Sequence, residues 1–181
     1  MAIVGLTPSY IEKIHDELVA IRFPDDEPVG KGRNLGLIAS AANRPFQTAG
    51  GNEIYPTLIE KAAALFHGIN ANHIFVNGCK RTSVIAVDLF LSANWRFLAM
   101  SGEDLRELAT KTADHNRLRI TQDRMMIEIK EALEARTIWL PRLFLNGYVQ
   151  LAWGAYKQGQ ALRSELNYHN PASVRKGRTD G

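Results

Sequence analysis

Apolar residues recur at helical spacing through most of the chain. Thr7-Pro8 reads as an N-cap with proline at the first helical position. Ile11, Ile14, Leu18 and Val19 then share one face, and Pro24 ends the run. "LGLIASAANRP" predicts a short helix closed by Pro45. From Thr57, "TLIEKAAALFHGINAN" sets Leu58, Ala62, Leu65, Phe66 and Ile69 on one face of a helix. Residues 84–93 are apolar nearly all round, with Asp88 and Ser92 as the polar positions, which predicts a buried central helix. Ser101 caps another helix, with Asp104 as a partial capping box, and Thr121 opens one carrying Met125, Met126, Ile129 and Leu133. "TIWLPRLFLNGYVQLAWGAY" holds five aromatics and predicts one or two last helices packed on the core or on a partner.

Strand signals are sparse. "FQTAGGNEIYP" alternates too little for a sheet, but Gly50-Gly51 permits a tight turn, so a small two-stranded flap is expected. "FPDDEPVGKGRNLG" is a turn-rich loop whose three glycines lack dinucleotide-fingerprint spacing. The fold class is mainly α: a helical bundle around a buried central helix, with a small β-hairpin flap.

Composition narrows the setting. The 181 residues suit one domain, with room for an appendage, and 45% apolar with 23% charged residues is ordinary for a soluble globular chain. A net charge of +3 demands neither nucleic acid nor an anionic membrane, so direct nucleic-acid binding is not expected. The single Cys79 excludes an intramolecular disulfide framework and suits a reducing compartment. "MAIVGLTPSY" lacks the regions of a signal peptide, and no stretch reaches about 18 consecutive apolar residues. A cytoplasmic location is the expectation.

The chemistry concentrates in "NHIFVNGCKRTS", residues 72–83. Gly78 can turn successive N–H groups into one concavity, and Lys80 and Arg81 place two cations at a helix N-terminus. Cations there oppose the helix dipole, which favours a functional reason for them. Backbone donors, dipole and side-chain charge together make a phosphate cradle without a Walker sequence. His73 lies close enough to take a proton from an attacking hydroxyl, although a capping or packed histidine is the commoner case. Phe75 reads as a core anchor for the loop. Cys79 beside a helix N-terminus has the setting of a nucleophile, but without a second thiol or a partner base the inert small residue is the better reading.

As a set, "HIFVNGCKRT" resembles the core motif of the Fic/Doc family, whose Doc branch reads His-x-Phe-x-Asp-(Gly/Ala)-Asn-Lys-Arg-Thr. His73, Phe75, Gly78, Lys80, Arg81 and Thr82 fall on that pattern. "IEKIHDE", "LGLIASAANRP" and "YPTLIEKAAALFHGINANH" also look like their Doc counterparts. The resemblance implies a Fic/Doc-like domain over residues 1–137. An additional helical segment is expected at 138–165, and a disordered tail at 166–181. It further implies bound ATP with magnesium and transfer of the γ-phosphoryl group to a hydroxyl of a protein, in Doc translation elongation factor Tu, so that growth stops. His73 would be the catalytic base. Gly78, Cys79, Lys80 and Arg81 would bind the nucleotide, Asn77 the metal, and "RPFQTAGGNE" would be the flap that aligns the target by strand addition. Adenylyl-transferring relatives usually carry Gly where this chain has Lys80.

Two positions depart from the pattern. Asn77 stands where the family has its magnesium-binding acid, and an amide brings no charge to a hard cation. Cys79 stands where the family has an Asn that contacts phosphate, and a thiol donates poorly. These changes keep open a catalytically degenerate Fic-fold binding protein, as well as a Fic-type adenylyltransferase. Self-inhibiting Fic proteins carry Ser or Thr with Glu four residues on, and no Ser or Thr in this sequence has one. Restraint is therefore expected from a separate antitoxin protein of the Phd type, with the Met and aromatic residues between Met125 and Trp153 as candidates to line its groove.

Overall fold

The computed structural model describes residues 3–19 and 33–139, and Met1–Trp139 form one compact unit. Helix α1, Pro8–Lys13, starts where Thr7 accepts a bond from the Tyr10 N–H at 3.2 Å. It continues as a π-helical turn, Ile14–Val19, in place of the uninterrupted helix the spacing predicts. Pro24 lies outside the described residues. Helix α2, Leu35–Asn43, is capped by Asn34 and passes at Pro45 into a 3-10 turn, Arg44–Phe46. The expected flap follows. Strands β1, Thr48–Ala49, and β2, Asn52–Glu53, pair antiparallel across Gly50 and Gly51, both at positive φ as the two-residue turn requires.

Helix α3, Leu58–Ala71, opens with a full capping box between Thr57 and Glu60. Helix α4, Cys79–Ala93, leads to β3, Arg96–Leu98; α5 is Gly102–Ala113 and α6 is Gln122–Arg136. Ser101 and Thr121 cap α5 and α6 as the sequence predicts. The stripe on α6 is also as expected, with Met125, Ile129 and Leu133 buried at about 1.5–3 kcal/mol each.

Two expectations need correction. The apolar run on α4 is less enclosed than predicted, because Asp88 and Ala93 reach solvent and Val84, Ile85 and Leu89 are half-covered. The helix enclosed on all sides is α3, whose residues 61–70 are all buried between α2, α4, α5 and α6. The second concerns Thr137–Trp139, expected to begin a helix. These residues form strand β4, antiparallel to β3 with Phe97 opposite Ile138. β-branched and aromatic side chains suit that pairing. The expected boundary at 137 thus falls inside a strand. Residues 140–181, with most of the helical segment and all of the tail read from the sequence, lie outside the described residues.

Burial of α3 is bought with unusual partners. Lys61 is 2% exposed, and its Nζ donates to the Pro45 carbonyl at 3.1 Å and to Glu53 Oε1 at 3.0 Å, 5.1 Å from the Phe46 ring centroid. One ammonium thus ties the 3-10 turn and the end of the hairpin to α3. Strands of two residues have little stability of their own, so this anchor counts. Gly5 lets the chain pass Phe46, whose ring a Cβ there would meet at 2.6 Å. Asn94 holds the same segment through paired bonds to the Val4 backbone.

Candidate active site

The loop between α3 and α4 and the first turn of α4 carry every candidate residue. Helix α3 ends at Ala71, and His73 follows at φ +46°, a left-handed conformation costing an L-residue roughly 1–2 kcal/mol. Its imidazole is exposed. Ile74 and Phe75 then drop into the core, at 0% and 2% exposure. Val76 and Asn77 return to solvent, and Gly78, at φ +82°, starts α4 as its N-cap. The Gly78 carbonyl accepts the first helical bond, from the Thr82 N–H at 2.8 Å. Without a Cβ, glycine takes this turn at little cost.

His73, Asn77, Gly78, Cys79, Lys80 and Arg81 line one cavity of about 360 Å³ at the N-terminus of α4. Asn70 of α3 and Ala113 of α5 close its wall. All six candidates are therefore brought together. Lys80 is exposed and Arg81 half-buried. Asn70, fully buried, links the two helices beneath them. Its Nδ2 donates to the Phe66 carbonyl at 3.1 Å and to Ser83 Oγ at 2.6 Å, and Ser83 Oγ donates to the Lys80 carbonyl at 2.8 Å.

Cys79 turns its thiol away from nucleophilic work. The thiol donates to the Phe75 carbonyl at 3.1 Å and accepts from the Phe75 N–H at 3.3 Å, while burial pushes its pKa up. A thiol held neutral is a poor nucleophile. Its observed task is to close the loop on itself.

The N-terminal elements hold the loop from behind, which the sequence reading did not anticipate. The imidazole of His15 stacks on Phe75 with centroids 3.8 Å apart. Its Nε2 lies 3.0 Å from the main-chain oxygen of Asn77, and its Nδ1 3.0 Å from Asp16 Oδ1. Arg33 grips Asp16 through two bonds of 2.9 Å and reaches Glu12 at 3.2 Å. Burial raises the Asp16 pKa, but the bonds from His15 and Arg33 outweigh it and leave the carboxyl below its usual range. Arg33 also pairs with Phe75 as a lone antiparallel bridge, and the Asn34 N–H donates to the Ile74 carbonyl at 3.2 Å. The signal was present in "IEKIHDE" and "GRN", but nothing local in either names its partner.

The donor set suits an anion. Lys80, Arg81 and the first amides of α4 supply positive charge and N–H groups at one end of the cavity. It suits a divalent cation poorly. Among the described residues no carboxylate lines the cavity, Asn77 offers only an amide oxygen, and no group of three or more His, Cys, Asp or Glu could hold a metal.

Comparison with known proteins agrees with the motif. The Fic/DOC family model matches residues 5–91, which run from the approach to α1 almost to the end of α4. Over 90 residues the chain is 41% identical to Toxin Doc of Mycolicibacterium smegmatis, a match covering 46% of this chain and 69% of that protein. No solved structure matches. No helix among the described residues is long and apolar enough to cross a membrane. With the motif running from one loop into the first turn of α4 and its residues around one cavity, the chain belongs to the Fic/DOC family.

Proposed function

We propose that this chain is a Doc-like toxin that transfers a phosphoryl group from ATP to a protein hydroxyl, with translation elongation factor Tu as the target by resemblance. The observation that carries this reading is the convergence of His73, Gly78, Lys80 and Arg81 on one cavity. ATP supplies the group transferred; the chain supplies placement and charge. Amides at the start of α4 orient an anionic group, and Lys80 and Arg81 offset the charge that develops on it. His73, exposed on the same wall, accepts the proton of the attacking hydroxyl at a ring nitrogen. The β1–β2 edge presents main-chain groups to an extended target segment. Among the described residues the cavity offers magnesium no carboxylate.

The test compares γ-labelled with α-labelled ATP, using purified chain and elongation factor Tu. Label on the factor from γ-labelled ATP alone supports phosphoryl transfer; label from the α position means adenylyl transfer. A second reading, a Fic-fold protein that acts by binding, draws on the missing carboxylate and the inward-turned Cys79 thiol. No label from either nucleotide favours it. The toxin reading includes a separate antitoxin, by resemblance one of the Phd type. Expression alone should arrest growth, and co-expression with a neighbouring antitoxin gene should restore it and yield a complex.

A further inference from the structure

Every polar atom of the His15 ring is engaged, and both neighbours that matter lie in one loop. The residue sits in the π-helical turn, 3% exposed, with its face on Phe75 and Nε2 on the Asn77 carbonyl. Asp16 fixes the other nitrogen, and Arg33 and Glu12 fix Asp16. Space-filling alone would need no such chain of bonds.

The bond to Asn77 bears on the next residue. The Asn77 carbonyl and the Gly78 N–H belong to one peptide plane, and this peptide is trans. In a trans peptide the two groups point in opposite directions. Drawing the oxygen toward His15 therefore fixes where the Gly78 N–H points. Gly78 lines the cavity, and among the described residues no backbone carbonyl accepts its N–H. Without a Cβ at Gly78, little else opposes a flip of this plane. A hydrogen bond to the carbonyl also polarises the peptide and strengthens its N–H as a donor.

We propose that His15 is a positioning residue that aims the Gly78 N–H into the cradle by holding the carbonyl of the same peptide. The inference rests on the nucleotide reading above and adds to it a side chain 62 residues earlier in the sequence than Asn77.

Three variants of the full chain separate the contributions. His15→Phe keeps a ring against Phe75 and removes both bonds. His15→Gln keeps a donor and gives up the ring. Ile129→Val, in the core on α6, provides a small loss of stability with the loop untouched. The readouts are the ATP dissociation constant by calorimetry, the melting temperature, and the amide nitrogen signal of Gly78. His15→Phe should weaken ATP binding about fivefold, the change one hydrogen bond of ordinary strength makes. His15→Gln should recover part of it, and Ile129→Val should bind as the parent does. Should His15→Phe not fold, His15→Asn, too short to reach the carbonyl, takes its place. Unchanged ATP affinity overturns the proposal, as does a loss no larger than Ile129→Val shows at equal melting temperature. In ligand-free protein the Gly78 signal should shift in His15→Phe. An unmoved signal overturns the proposal even where the parent binds no ATP, a result that by itself would defeat only the nucleotide reading.

Discussion

His15 and Phe75 lie face to face, their ring planes 9° from parallel. The stack joins the N-terminal helical region to the motif loop, and such aromatic pairs contribute about 0.5–1.5 kcal/mol beyond the area they bury. Phe75 is the motif's apolar residue, and its N–H donates to the Cys79 thiol while its carbonyl accepts from it. The loop is thus fixed at its centre, leaving His73 and Asn77 at its surface and Lys80 exposed just beyond it in α4.

The double variant Lys80→Ala, Arg81→Ala should lose ATP binding and transfer together. Charge-stabilising groups of this kind supply about 2–4 kcal/mol to a transition state. Calorimetry with ATP and a labelled-transfer assay check it; unaltered affinity and turnover would remove these cations from the site.

Asn77→Asp should tighten magnesium and raise transfer, because a carboxylate supplies the charge that a hard cation prefers and the cavity lining lacks. Titration of magnesium against both forms, with and without ATP, gives the comparison. Equal magnesium affinity in the two would show that residue 77 does not meet the metal.

Lys61→Met and Lys61→Ala should differ. Methionine keeps most of the buried volume and leaves Glu53, half-exposed, to water, but it takes the donor from the Pro45 carbonyl, so the loss should be about 1–3 kcal/mol. Alanine also opens a cavity and should cost about 2–4 kcal/mol. Urea unfolding measures both. Equal losses would mean that the ammonium's bonds, not the volume, dominate.

Stability should fall as pH drops below 6.5. His67 is 2% exposed, with neither ring nitrogen hydrogen-bonded, 5.3 Å from the His115 ring. Burial, then the charges of Arg44 and His115, lower its pKa to about 4. The unfolded chain therefore takes up a proton near pH 6.5 that the folded chain refuses until about pH 4. The contribution is fully present above pH 6.5 and is lost down to pH 4, at most about 3 kcal/mol. His67→Phe should flatten this limb in unfolding curves taken across that range. An unchanged slope would place the titration elsewhere.

Helices α3, α5 and α6 were legible because their signals are local: a capping side chain, then apolar residues at helical spacing. The hairpin was legible for the same reason, from Gly50-Gly51. Strands β3 and β4 were not, since Arg96–Leu98 finds its partner only after two helices have intervened. Lys61 was hidden in another way. A lysine within an amphipathic pattern reads as the wet face, and only packing places it in the core. The motif residues of the site were legible from their order, yet the direction of the Cys79 thiol and the grip of His15 depend on contacts that no spacing encodes.

Cys79 carries one more consequence. Only the thiolate reacts quickly with alkylating reagents, and this thiol is buried, neutral and bonded on both sides to Phe75. Labelling must wait until the loop comes apart. Because the chain holds a single cysteine, its labelling rate under native conditions is a clock for loop opening, read without adding any foreign group beforehand.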